Sequence, residues 1–188
     1  GVIIRITAKA STHSEAEKMI EVVEAQVKAR VGEYIYAVDN ENMEEVVAKL
    51  LKDNCLTVAC AESCTGGMLA SRLTSISGSS MYIKGSIVTY SNEAKMKFLD
   101  VDKEILDTKG AVSPEVAKQM AEGVRKAVGS DIGVGITGIA GPTGGTDKKP
   151  VGLVYIAVAG KDNTVVKENI FSGDRARVRY RSTQQALE

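Results

Sequence analysis

Apolar residues in this chain fall into short uninterrupted runs that alternate with amphipathic stretches. Residues 56–61, Leu-Thr-Val-Ala-Cys-Ala, are nearly all apolar; polar Glu62 and Ser63 follow, then Gly66-Gly67, then Met68-Leu69-Ala70-Ser71-Arg72-Leu73. A run of six suits a buried strand, and paired glycines before a stretch of helical character mark a tight turn. The pattern predicts strand, turn, helix, with Ser63 at the carboxyl edge of a sheet. Such a serine either caps the helix or faces the free N–H groups of its first turn as a nucleophile beside an oxyanion site.

Before this, Val2-Ile3-Ile4-Arg5-Ile6 and residues 34–38 read as strands around a helix opened by Ser14-Glu15-Ala16-Glu17 in capping-box form. This small β-α-β unit, residues 1–40, is too short to bury a core alone. Met43, Val46, Val47, Leu50 and Leu51 mark an amphipathic helix, so the boundary is placed at 39–41 and a larger unit spans 41–188. Strands are expected at 56–61, 81–90, 132–136, 151–159 and 165–171. Helices are expected at 92–99 and after Ser113-Pro114-Glu115, where a cap, a first-turn proline and an acid coincide. This alternation argues for an α/β fold, a three-layer α/β/α sandwich, and the two consecutive late strands make the sheet mixed. The chain begins without methionine and ends on Gln184-Gln185-Ala186-Leu187-Glu188, as if truncated before a final helix.

Composition narrows the function. Twenty-four lysines and arginines balance 24 aspartates and glutamates, so no global field recruits nucleic acid or membrane. Cys55, Cys60 and Cys64 lack C-x-x-C spacing and read as reduced thiols of a cytoplasmic protein, with no metal site. No apolar run approaches the roughly 20 residues of a membrane span.

If Ser63 is a nucleophile it needs a base. The single histidine, His13, lies in the small unit, and G-x-S-x-G is absent because Ala61 and Thr65 replace its glycines. A buried lysine can lose its proton, and Lys95 follows a strand end; Ser91, one helical turn earlier, makes Ser91–Lys95 a rival pair. Thr137 ends the strand at 132–136, before a glycine-rich loop over 138–145 whose amides can wrap an anion or a planar ring. Gly133-Val134-Gly135-Ile136-Thr137-Gly138 fits G-x-G-x-x-G but lies within a strand and opens no helix, which discounts it as a dinucleotide fingerprint. Of four arginines over 173–181, Arg175 falls in a first helical turn and can meet an anion; the other three read as a solvated face.

Taken together, Ala61-Glu62-Ser63-Cys64-Thr65-Gly66-Gly67, Tyr90-Ser91-Asn92-Glu93-Ala94-Lys95, Gly110-Ala111-Val112-Ser113, Ile136-Thr137-Gly138-Ile139-Ala140-Gly141-Pro142 and Lys149-Pro150-Val151-Gly152 closely resemble the C-terminal domain of the CinA family. The first 40 residues resemble the KH-type linker unit of longer members, without a G-x-x-G loop. The resemblance implies an amidase that converts nicotinamide mononucleotide to nicotinic acid mononucleotide and ammonia, without cofactor or metal. It implies Ser63 as nucleophile, Lys95 as base and Thr137 as an assisting hydroxyl, and so favours Ser63–Lys95 over Ser91–Lys95. Glu62, Thr65, Gly66, Gly67, Tyr90, Gly138, Gly141 and Arg175 are the expected substrate-binding set, with amides of 65–67 as the oxyanion site. It further implies a homodimer, and an upstream nucleotide-pyrophosphatase-like domain in the whole protein. Lys84, Ser86 and Thr143 stand where the family often has glycine. The alternative is a non-catalytic nucleotide-binding module in which Ser63 only caps a helix.

Overall fold

The computed structural model describes residues 2–39 and 41–188. The chain divides into two compact units, Gly1–Asn42 and Met43–Glu188. Asn40, within the boundary expected from sequence, lies outside the described residues.

The first unit holds α1 (His13–Val31) and a 3-10 turn, Gly32–Tyr34. Among the described residues neither segment expected as a strand, 2–6 or 34–38, pairs with another strand, and Val2 and Ile3 are 94% and 89% exposed. β-Propensity alone forms no strand, because the ladder hydrogen bonds need a neighbour. The helix cap is also two residues earlier than expected. Thr12 and Glu15 exchange the reciprocal bonds of a capping box, and Ser14 lies inside the helix.

The second unit runs α2 (Met43–Asp53), β1 (Val58–Glu62), α3 (Met68–Thr74), β2 (Ile83–Val88), α4 (Asn92–Leu99), α5 (Lys103–Lys109), α6 (Pro114–Val128), β3 (Ile132–Gly138), β4 (Leu153–Ala159), β5 (Thr164–Ile170) and α7 (Arg175–Leu187). The sheet order is β2-β1-β3-β4-β5; β1 is parallel to β2 and β3, and β4 is antiparallel to both β3 and β5. A mixed sheet between helical layers is what the sequence pattern led to. One layer packs α2, α3 and α7 on Cys60, Val134, Ile136, Val154 and Ile156; the other packs α4, α5 and α6 on Ala59 and Ala61. No helix among the described residues is long and apolar enough to cross a membrane.

The helix expected to open near Arg175 forms as α7, which buries Val178, Ser182 and Thr183 against the α2–α3 side. The G-x-G-x-x-G match is a packing device. A Cβ on Gly133 would stand 2.1 Å from Ala121 O and one on Gly135 2.4 Å from Ala117 O, so these glycines let the backbone of α6 approach β3.

The register then defines a functional edge. Glu62 pairs with both Val88 and Ile136, so β1 and β2 end level while β3 runs on through Thr137 and Gly138, and the residues just beyond this line collect at one carboxyl edge.

Candidate active site

Ser63 is the first residue past β1, half-buried, and its N–H donates to Ile136 O at 3.0 Å. The turn behind it relies on two consecutive left-handed glycines, Gly66 (φ +59°) and Gly67 (φ +90°), and Gly67 is the residue before the helix. No side chain of Ser63 or Thr65 caps α3. Glu62 does so from the strand end: its Oε2 accepts from Gly67 N (3.1 Å) and Leu69 N (3.0 Å), and its Oε1 from Ala70 N (2.9 Å). The carboxylate satisfies three orphan amides at the positive end of the helix dipole, and its side chain is fully buried. Its oxygens, expected to touch substrate, are thus committed to holding the turn.

Two of the three amides expected as oxyanion donors are engaged within the turn: Gly66 N donates to Ser63 O and Gly67 N to Glu62, while among the described residues the Cys64 and Thr65 N–H groups have no backbone or carboxylate acceptor. Glu62→Gln retains one acceptor and turns the other into a donor facing amides. The expected loss is about 2 kcal/mol of stability, measured by denaturant unfolding; a change below about 0.5 kcal/mol would contradict the capping role.

Lys95 enters from α4. Ser91 caps that helix, accepting from Ala94 N, so the rival hydroxyl is engaged in helix initiation. Lys95 is 1% exposed, and its Nζ lies 2.8 Å from Thr89 O and 3.2 Å from Ser63 Oγ. No carboxylate pairs with it among the described residues. Burial accordingly pushes its pKa below the ordinary lysine value of 10.5.

Thr137 reaches the same edge and is almost fully buried. Its hydroxyl donates to Ala111 O at 2.7 Å, and no hydrogen bond joins it to Ser63 or Lys95. It ties β3 to the segment before α6, where Lys149 Nζ donates to the Lys109 and Val112 carbonyls and Ser113 Oγ to Gly110 O. Four successive carbonyls, 109–112, are therefore held by side chains.

Arg175 joins two other expected site residues. Its Nη1 donates to Gly141 O (2.9 Å) and its Nη2 to Tyr90 Oη (2.8 Å), linking the end of β2, the glycine-rich loop and α7. Tyr90 is 62% exposed and presents its ring to solvent beside the serine edge. Gly138 is packed instead: a Cβ there would stand 2.7 Å from Leu153 O. The loop after it is closed by Gly152 N to Ile139 O and by paired bonds between Thr146 and Lys149. The Cys64 thiol beside Ser63 is buried and pushed up to about 11, mainly by desolvation, which makes it a poor competing nucleophile.

Residues 40–188 match the CinA C-terminal domain, and residues 1–37 match the damage-inducible protein CinA KH domain. This chain belongs to the CinA family. It is 50% identical over 186 residues to a competence-damage inducible protein of Moorella thermoacetica and 52% identical over 187 residues to one of Thermoanaerobacter. Those alignments take in 99% and 100% of this chain and 45% of each relative, so the chain spans less than half the length of these curated relatives. Among solved structures it is similar to the competence/damage inducible protein CihA of Agrobacterium tumefaciens, with 39% identity and a TM-score of 0.74 over 80% of this chain and 94% of the other. The competence damage-inducible protein A of Klebsiella pneumoniae shares 34% identity with a TM-score of 0.75, over 78% and 93%.

Sequence reasoning missed two side chains of this CinA domain. Arg179, read as solvated, donates from Nη2 to Thr65 O at 2.7 Å, and Lys149 clamps the 109–112 carbonyls. The spacing of Arg179 four residues after Arg175 was the available signal for a shared helix face.

Proposed function

We propose that this CinA domain is an amidohydrolase that deamidates nicotinamide mononucleotide through a Ser63 nucleophile and a Lys95 base. The observation that carries this is a buried lysine amine, without a carboxylate partner among the described residues, 3.2 Å from a half-buried serine hydroxyl at the carboxyl edge of the sheet. Desolvation favours the neutral amine, which keeps an N–H for Thr89 O and has a lone pair for the Ser63 proton. Ser63 Oγ then bonds to the carboxamide carbon, and the Cys64 and Thr65 amides receive the oxyanion. On collapse the C–N bond breaks and ammonia leaves with the proton from Lys95. Water, losing a proton to Lys95, hydrolyses the ester and releases nicotinic acid mononucleotide and Ser63.

The substrate assignment rests on the family resemblance and is supported by Tyr90 and Arg175 beside the serine, an aromatic face and a cation suited to a phosphorylated pyridine nucleoside. For the whole protein the proposal extends to a cytoplasmic homodimer with an upstream nucleotide-pyrophosphatase-like domain.

The test is ammonia release from nicotinamide mononucleotide with stoichiometric nicotinic acid mononucleotide. Binding without release by the folded protein would instead favour the non-catalytic binding module. The pH profile adds a second check. As Lys95 loses its proton, kcat/KM is expected to rise with pH through an inflection below 10.5. The same shift makes stability rise with pH between the folded and unfolded lysine pKa values, because there the unfolded chain holds the proton that the folded chain has released. A rate that falls as pH rises across that window would exclude Lys95 as the base.

A further inference from the structure

Arg179 sits one helical turn after Arg175 on α7, and both reach back toward the serine edge. Arg179 Nη2 donates to Thr65 O, while its Nε is sealed from solvent without a partner among the described residues, as is Thr65 Oγ1. No carboxylate pairs with Arg179 among the described residues. Its charge is therefore directed at a peptide carbonyl in the turn that carries Cys64 and Thr65. The guanidinium also lies over the turn itself, since a Cβ on Gly66 would be 3.5 Å from Nη2.

We propose that Arg179 is a positioning residue: it locks the Ser63–Gly67 turn through the Thr65 carbonyl and lends positive potential to the place where negative charge develops on the tetrahedral intermediate. This rests on the amidase reading for its chemistry and on the turn's geometry for its location. The effect of charge is already visible next door, where the positive charges of Arg175 and Arg179 favour negative charge on the Cys64 sulfur, against its dominant desolvation. In a water-poor site such a fixed cation acts more strongly than it would in solvent. An uncharged side chain of similar length would leave Thr65 O with the single long bond from Met68 N, 3.3 Å, and remove the potential.

The test uses a fluorophosphonate probe, which needs a reactive serine and no nucleotide. Ser63 Oγ bonds to phosphorus, the P–F bond breaks, fluoride leaves and Lys95 takes the hydroxyl proton. Intact-mass kinetics then give a first-order labelling constant and a half-saturation concentration for Arg179→Met, Arg179→Lys and the parent. Arg179→Met is expected to lower the labelling constant about 10- to 100-fold with half-saturation unchanged, and Arg179→Lys to recover part of the loss.

Arg72→Met separates this from simple docking of α7. Arg72 joins α3 to α7 through Thr183 and Gln184, and pairs with Glu44. It should lower the melting temperature yet leave the labelling constant alone. An unchanged constant in Arg179→Met, or a loss that merely follows the melting temperature across both variants, would overturn the proposal. Labelling of Ser63 without ammonia release from the nucleotide would remove the substrate assignment, and the comparison of labelling constants would still judge Arg179. A parent that is not labelled at Ser63 would overturn both.

Discussion

Replacing Ser63 by alanine is expected to cut ammonia release from nicotinamide mononucleotide by at least about a thousandfold, with nucleotide affinity changed no more than about threefold. Among the described residues the hydroxyl is the only side-chain hydrogen-bond partner of Lys95, and it caps no helix, so its removal leaves α3 untouched. Lys95→Met should fall by about 10²- to 10⁴-fold, the usual range for losing a general base. The two groups act on one proton, so the double variant should be no worse than Ser63→Ala alone. Additive losses in the double variant would mean that serine and lysine serve separate steps. Release that survives Ser63→Ala would remove the nucleophile altogether. Titration of product binding to Ser63→Ala separates lost chemistry from lost binding.

The parts of this site that were legible in sequence are those set by local pattern. An apolar run ending in Glu-Ser, a glycine pair and a helix together place Ser63 at a sheet edge, and Ser113-Pro114 marks the start of α6, with Ser113 accepting from Val116 N. The helix at 92–99 also formed within its expected limits, because Ser91 caps it and Asp100 ends it in the left-handed region. What sequence could not supply depends on residues far apart in the chain. Glu62 caps α3 only because two left-handed glycines bring the helix start back over the strand end, so the cap read from the sequence, Ser63, was the wrong one. Arg179 meets a carbonyl 114 residues earlier in the chain, which no periodicity shows. The strands expected at 2–6 and 34–38 failed for the related reason that a strand is a property of a pair, and neither segment has a partner among the described residues.

The largest expected effect on stability comes from a residue that touches no reacting atom. Gly135→Ala should cost about 3–5 kcal/mol, at the severe end of single substitutions. Its Cβ would stand 2.4 Å from Ala117 O and 2.6 Å from Ala121 N, both backbone atoms of α6, so rotation of a side chain cannot relieve the clash. The helix must move off the sheet, and the alanines that oppose these glycines, Ala117 and Ala121, are fully buried, so displacement opens the layer they fill. Gly129→Ala is the matched control: nothing lies within 4 Å of its Cβ, and only the left-handed φ of +70° opposes it, a cost of about 1–2 kcal/mol. Denaturant midpoints for the two variants decide the matter, with Gly135→Ala expected to lose at least about 1 kcal/mol more than Gly129→Ala. Equal losses would show that α6 yields freely and that the close approach to β3 contributes little. The distinction reaches the catalytic edge, because α6 begins at Ser113, directly after the carbonyls held by Thr137 and Lys149. A displaced α6 should therefore also lower kcat in whatever fraction of Gly135→Ala remains folded, whereas Gly129→Ala, at the far end of the same helix, should keep its rate.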